Sequence, residues 1–142
     1  MTQTQWFPMF TPKATLEHAD SRGEIFSITL PDNRDGSKLL LLHSNAGALR
    51  GGHSHDVDEV VTLLSGKMKY HKRVSRDEWD MIEELVEELT AGMSSFSPAG
   101  ETHMAEFLED SWVLECKFTT PGVAWSNTDY EPWRERVRTS TK

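Results

Sequence analysis

The chain has 142 residues, enough for one domain with its own core, and 37% hydrophobic residues with five Trp and six Phe exclude a disordered polypeptide. A formal charge of −8 and a pI near 5.2 exclude a nucleic-acid partner, because phosphate binding needs clustered Lys and Arg. The single cysteine, Cys116, rules out an internal disulfide and a cysteine-rich zinc site, and no stretch approaches the ~18 apolar residues of a membrane span.

Residues 1–22 read as an N-terminal arm, carrying Pro8 and Pro12. Met1 to Phe10 lacks the basic and apolar regions of a secretory signal, so a cytoplasmic protein is expected. From Gly23 to residue 120 the pattern is that of short strands with Gly and Pro turns, an all-β sandwich or barrel. Phe26, Ile28 and Leu30 alternate with Ser27 and Thr29, which turns one face inward. Leu39 to Leu42 is apolar on both faces and predicts a strand covered on both sides, which suits a homodimer. His53 to Leu64 reads as two short strands around Asp56-Val57-Asp58, and Ser65-Gly66 as a hairpin turn into Lys67 to Arg73.

Residues 75–89 allow two readings. Ser75 and Glu78 form a capping-box signature, and Trp79, Ile82, Leu85, Val86 and Leu89 share a helical face, which favours a short helical insert. The alternative is a strand, since Asp80, Glu84 and Glu88 put like charges four apart on a helix. Met93 to Phe96 and Thr102 to Leu108 are further strands, as is Trp112 to Phe118, with Trp112, Leu114, Cys116 and Phe118 on one face. Residues 121–142 form a C-terminal tail of the same domain, ending in a helical segment with Arg134, Arg136 and Arg138.

His53 and His55, two apart on a strand, send both imidazoles to one face. A hairpin would fold the Glu59 carboxylate back toward them, and His103 enters after a Pro-x-Gly turn. Three imidazoles and a carboxylate suit one divalent transition metal, Fe, Mn, Ni, Co or Zn, with positions left open for water or substrate. Tyr70 and Phe96, with Met68 and Cys116, have inward parity, and Arg50 precedes the first histidine where it can hold an anionic ligand.

The flanking residues carry a resemblance. Gly47, His53, His55, Glu59 and Gly66 stand at the spacing of the first cupin motif, and Gly92, Pro98, Gly100 and His103 at that of the second. Phe107 replaces the usual final Asn, and its inward parity gives the cavity an apolar floor. The chain thus resembles a small single-domain cupin. The resemblance implies a double-stranded β-helix, or jelly-roll barrel, with His53, His55, Glu59 and His103 as metal ligands. Position and inward parity make Arg50, Tyr70, Phe96 and Phe107 the residues expected to meet a small-molecule ligand. Dioxygenase, isomerase and lyase chemistry on an oxygen-rich molecule all fit, and so does a non-catalytic binding cupin. A fainter likeness joins Arg50-Gly51-Gly52-His53-Ser54-His55 and the Asp129 to Arg134 segment to cupin-type sugar-nucleotide ketoisomerases. There His53 and His55 would be metal-free acid–base groups, but that family's lysine after the second histidine is Asp56 here.

Overall fold

A computed structural model describes residues 14–28, 37–76, 81–119 and 126–140. Two antiparallel sheets face each other. The six-stranded sheet runs in the order β1 (Ala14–Asp20), β2 (Gly23–Ile28), β3 (Ser37–Ser44), β10 (Ser111–Phe118), β5 (Glu59–Ser65), β8 (Ser94–Ser97). The five-stranded sheet runs β11 (Asn127–Asp129), β4 (Leu49–His55), β9 (Thr102–Phe107), β6 (Lys67–Arg76), β7 (Met81–Thr90). This is the expected all-β jelly roll, followed by the expected C-terminal helix, α1 (Glu131–Ser140). Ala14–Asp20, part of the expected arm, pair with β2 as the outermost strand; Pro8 and Pro12 lie outside the described residues.

Leu42, Val61, Leu63, Met68, Tyr70, Leu89, Phe107 and Val113 fill the space between the sheets. Each fully buried side chain of this size contributes ~1.5–3 kcal/mol. A second cluster lies outside the five-stranded sheet, where Trp133 and Val137 of α1 pack on Met104 and Leu49. No helix among the described residues is long and apolar enough to cross a membrane.

Four expectations need correction. The described residues of the expected helical insert are strand: residues 81–90 form β7, paired with β6 from Lys67↔Thr90 to Arg76↔Met81. The acidic residues that would repel one another on a helix here face cations, with Lys69 opposite Glu88 and Arg73 opposite Glu84. Glu78 and Trp79, which supported the helix, lie outside the described residues. Second, Ser65-Gly66 is not a hairpin turn. It is a corner between sheets, because β5 and β6 belong to different ones, and Gly66 has φ 96° where a Cβ would collide with Ser111. Third, Asp56 to Asp58 make a similar corner, so Glu59 reaches the histidines from the facing sheet.

The fourth correction concerns parity. Trp112, Leu114, Cys116 and Phe118 do share a face of β10, but it is the outer one; Val113, Glu115 and Lys117 face the interior. On β2 Ile25 faces inward and Phe26 and Ile28 outward. Phe96 likewise points out, 51% exposed, while its neighbours Ser95 and Ser97 are buried.

Candidate metal centre

β4 and β9 are neighbours, and their register places His53 directly opposite His103. A bulge between Gly51 and His53 shifts the pairing at this point, a device that commonly re-aims side chains beside a site. His55, two residues further along β4, completes a triangle of rings with centroids 4.5, 5.2 and 5.0 Å apart. One nitrogen from each of the three lies within 4.8 Å of the others.

Glu59, 1% exposed at the start of β5, approaches from the opposite sheet. Its Oε2 is 3.1 Å from His55 Nε2 and its Oε1 is 3.6 Å from His103 Nε2. Adjacent ligands on an octahedral ion with ~2.1 Å bonds stand ~3 Å apart, so these separations fit a shared cation. Oε2 is buried and accepts no well-aligned hydrogen bond; Lys117 Nζ and His55 Nε2 each lie 3.1 Å from it. That is a reason for a cation at this place.

The outward nitrogens are engaged from behind. His55 Nδ1 is hydrogen-bonded to Asn127 Oδ1, His103 Nδ1 donates to the Glu101 carbonyl at 3.2 Å, and His53 Nδ1 lies 4.0 Å from Asp129 Oδ1. A proton held on Nδ1 of His55 and His103 leaves their Nε2 lone pairs free for the interior, the usual arrangement around ligating histidines, whereas the 4.0 Å between His53 and Asp129 is too long for a hydrogen bond. β11 supplies two of these partners because Asn127 pairs with His55 and Asp129 with His53.

Burial, with the neighbouring imidazoles, pushes His53 down to about 3, and burial brings His103 to about 4. Both rings are therefore neutral donors at pH 7. Burial alone would raise the Glu59 carboxyl, but His55 and the Lys117 charge outweigh it and hold it at about 2.

Lys117 is a part of the site that the sequence reading missed. Its Nζ lies 3.1 Å from Glu59 Oε2 and 3.1 Å from Glu115 Oε2, and these contacts raise its pKa against the effect of burial. The alternation of β10 points the other way, since its more apolar set, Trp112, Leu114, Cys116 and Phe118, took the interior in that reading. Asn127 and Asp129 were also missed, since two polar residues two apart are too common a pattern to stand out.

The histidines open onto a cavity of about 1080 Å³. Tyr70, Phe107 and Arg50 line it; Phe96 does not. The Tyr70 ring stacks on His103 at 5.7 Å, with its hydroxyl 3.2 Å from Ser97 Oγ. Arg50 is 8% exposed and donates to Ser44 Oγ at 2.7 Å and to the His43 carbonyl at 3.4 Å. Among the described residues no carboxylate forms an ion pair with it.

No family model and no curated protein matches this sequence. Solved structures do match. Vicilin from Corylus avellana (hazelnut) superposes with a TM-score of 0.67 at 11% identity, covering 80% of this chain and 32% of that one. An oxalate decarboxylase variant from Bacillus subtilis gives 0.61 at 20%, over 79% and 28%. KdgF from Halomonas sp. gives 0.56 at 17%, over 72% and 84%. The chain has the cupin fold. At these identities the likeness is one of fold, and this chain spans about a third of the length of the vicilin and decarboxylase chains.

Proposed function

We propose that this cupin is an enzyme that holds one divalent transition metal on His53, His55, His103 and Glu59 and acts on a small, oxygen-rich anion. The convergence of three imidazoles, two of them with Nδ1 hydrogen-bond partners behind them, carries the reading. When bound, the ion supplies Lewis-acid polarisation or an open position for a substrate oxygen. Isomerase, lyase and dioxygenase chemistry all remain compatible with it.

The chain's own residues bind and orient. Arg50 offers a buried guanidinium with no carboxylate counter-ion among the described residues, suited to a planar anion. It precedes His53 by three residues, about 10 Å of strand, so one small acid can meet both Arg50 and the ion. Phe107, Val113 and Leu42 exclude water from the side of such a ligand, and Tyr70 fixes the plane of His103. A metal-free acid–base role for His53 and His55 is less well supported, because their nitrogens cluster with His103 and beside Glu59.

Elemental analysis of protein purified without chelator or affinity nickel tests the reading. Near-stoichiometric iron, manganese, nickel, cobalt or zinc is expected, falling by at least ~10-fold in His103→Ala. Absence of metal, with none taken up on soaking, overturns it.

A further inference from the structure

The interior is polar at its two ends and apolar between them. On the six-stranded sheet the register sets the order. Lys117 stands opposite Glu59 at the metal end, Val113 opposite Leu42 in the middle, and Ser111 opposite Ser44 at the far end. Between the ends the cavity is lined by Leu40, Leu42, Val61 and Val113 from this sheet and by Ala105 and Phe107 from β9. Glu115 shares this stretch, but Lys117 engages it at 3.1 Å. The Arg50 guanidinium is fixed at the far end, where its Nε donates to Ser44 Oγ at 2.7 Å. Arg22 lines the cavity and donates to the Leu49 carbonyl at 3.3 Å, but its charge is met by Asp20 at 2.6 Å. Arg50 is the cation left for a ligand there, with no carboxylate partner among the described residues.

A cavity with polar ends and an apolar middle selects for length as well as charge. Ser44 and Glu59 lie six residues apart along the strands and two strands apart across them, ~22 Å in all. The Glu59 side chain and the Ser44–Arg50 contact each take up ~5 Å, which leaves ~12 Å between guanidinium and ion. An ion–oxygen bond of ~2 Å and an N–H···O contact of ~3 Å then leave ~7 Å for the ligand, or ~6 bonds at ~1.2 Å of extension each. A two- or three-carbon acid is too short to meet both ends, and a cavity of about 1080 Å³ is far larger than it needs. The apolar stretch favours methylenes, because a hydroxyl there would be buried without a partner. We propose that the ligand of this site is an elongated dianion, with one oxyanion head on the ion and a carboxylate on Arg50, joined by an apolar middle of about three or four carbons. The inference rests on the metal reading and names the class of molecule which that reading leaves open.

Calorimetric titration of the zinc-loaded full chain tests it, with acetate, glutarate, adipate and the matched monocarboxylates pentanoate and hexanoate as probes. Glutarate and adipate are expected to bind at least ~10-fold more tightly than pentanoate and hexanoate. Arg50→Met should bring that ratio to within ~3-fold of unity, and Arg50→Lys should recover part of it. Ala105→Leu, which fills the apolar stretch, should lower the preference for glutarate over acetate by at least ~10-fold, and it keeps the proposal testable should Arg50→Met fail to fold. Zinc content measured on the same samples separates this proposal from the metal reading. Full loading without a diacid preference overturns the elongated dianion and leaves the metal centre standing. So does a preference that survives Arg50→Met, or one that Ala105→Leu leaves unchanged. No zinc uptake overturns the metal reading, and this proposal with it.

Discussion

The lowered pKa values of His53 and His103 make the metal-free fold sensitive to mild acid, by an amount that follows from the structure. An unfolded imidazole titrates near 6.5, whereas burial holds these two at about 3 and about 4 in the fold. Between pH 7.5 and pH 5.0 the unfolded chain therefore takes up nearly two protons at these positions, and the folded chain almost none. Protons bind the unfolded state more, so stability falls as the pH drops through 6.5, and continues to fall until the folded-state values are reached. At pH 5.0 the solution is ~1.5 pH units below the unfolded imidazole value, a loss of ~2 kcal/mol per ring or ~4 kcal/mol for both. The assay is urea unfolding with chelator present at the two pH values and equal protein concentration. A double variant, His53→Asn with His103→Asn, removes both titrations, and its loss between the two pH values should be smaller than that of the wild type by ~4 kcal/mol. If the wild type and the double variant lose the same stability within ~1 kcal/mol, the rings are not held neutral and the buried-donor account fails.

Two further outcomes follow from the groups around the histidines. Asn127→Ala removes the partner of His55 Nδ1 and should weaken zinc or manganese binding by ~10–100-fold in a calorimetric titration, with the fold intact; an unchanged affinity would remove Asn127 from the orienting set. Lys117→Met leaves Glu59 and Glu115 buried without their cation and should destabilise the metal-free protein by ~3–5 kcal/mol. Because a bound divalent ion takes over that neutralising role, the metal-loaded variant should lose much less stability and bind the ion more tightly. Equal loss with and without metal would show that Lys117 and the ion do not share Glu59.

What the sequence made legible depended on how local the deciding contacts are. His53 and His55 share a face because alternation on a single strand requires it, and the Gly and Pro punctuation of residues 23–118 identifies the strands without tertiary information. The segment at 75–89 was ambiguous for the opposite reason. Its apolar residues satisfy a helical stripe, and what decides for a strand is the row of Lys69 and Arg73 on β6 facing Glu88 and Glu84, more than ten residues away. On β10 the difficulty is deeper. Trp112, Leu114, Cys116 and Phe118 are the more apolar set, so a rule that sends the apolar set inward turns the strand over. Glu115 and Lys117 go inside because Glu59 waits there on the neighbouring strand, with Lys117 directly opposite Glu59. No pattern within β10 carries that information. The same error hid the apolar outer face, which is where the set displaced from the interior ended up.

The interior charges also bear on what the cavity would select. Glu59 has one oxygen against Lys117 and the other toward His103, so on the proposed reading a single carboxylate serves two cations, the lysine and the metal. Glu115, pushed up by burial, offsets Lys117 only in part. Arg50 adds a third positive centre that no carboxylate among the described residues pairs with. With a divalent ion bound, the positive charges in the barrel outnumber the negative ones, although the chain as a whole carries −8. The negative exterior does nothing to attract an anion, and screening at physiological salt limits its reach to ~8 Å. Selection for an anion therefore rests on the interior, where the low dielectric strengthens each contact and the unpaired guanidinium of Arg50 gains most from one.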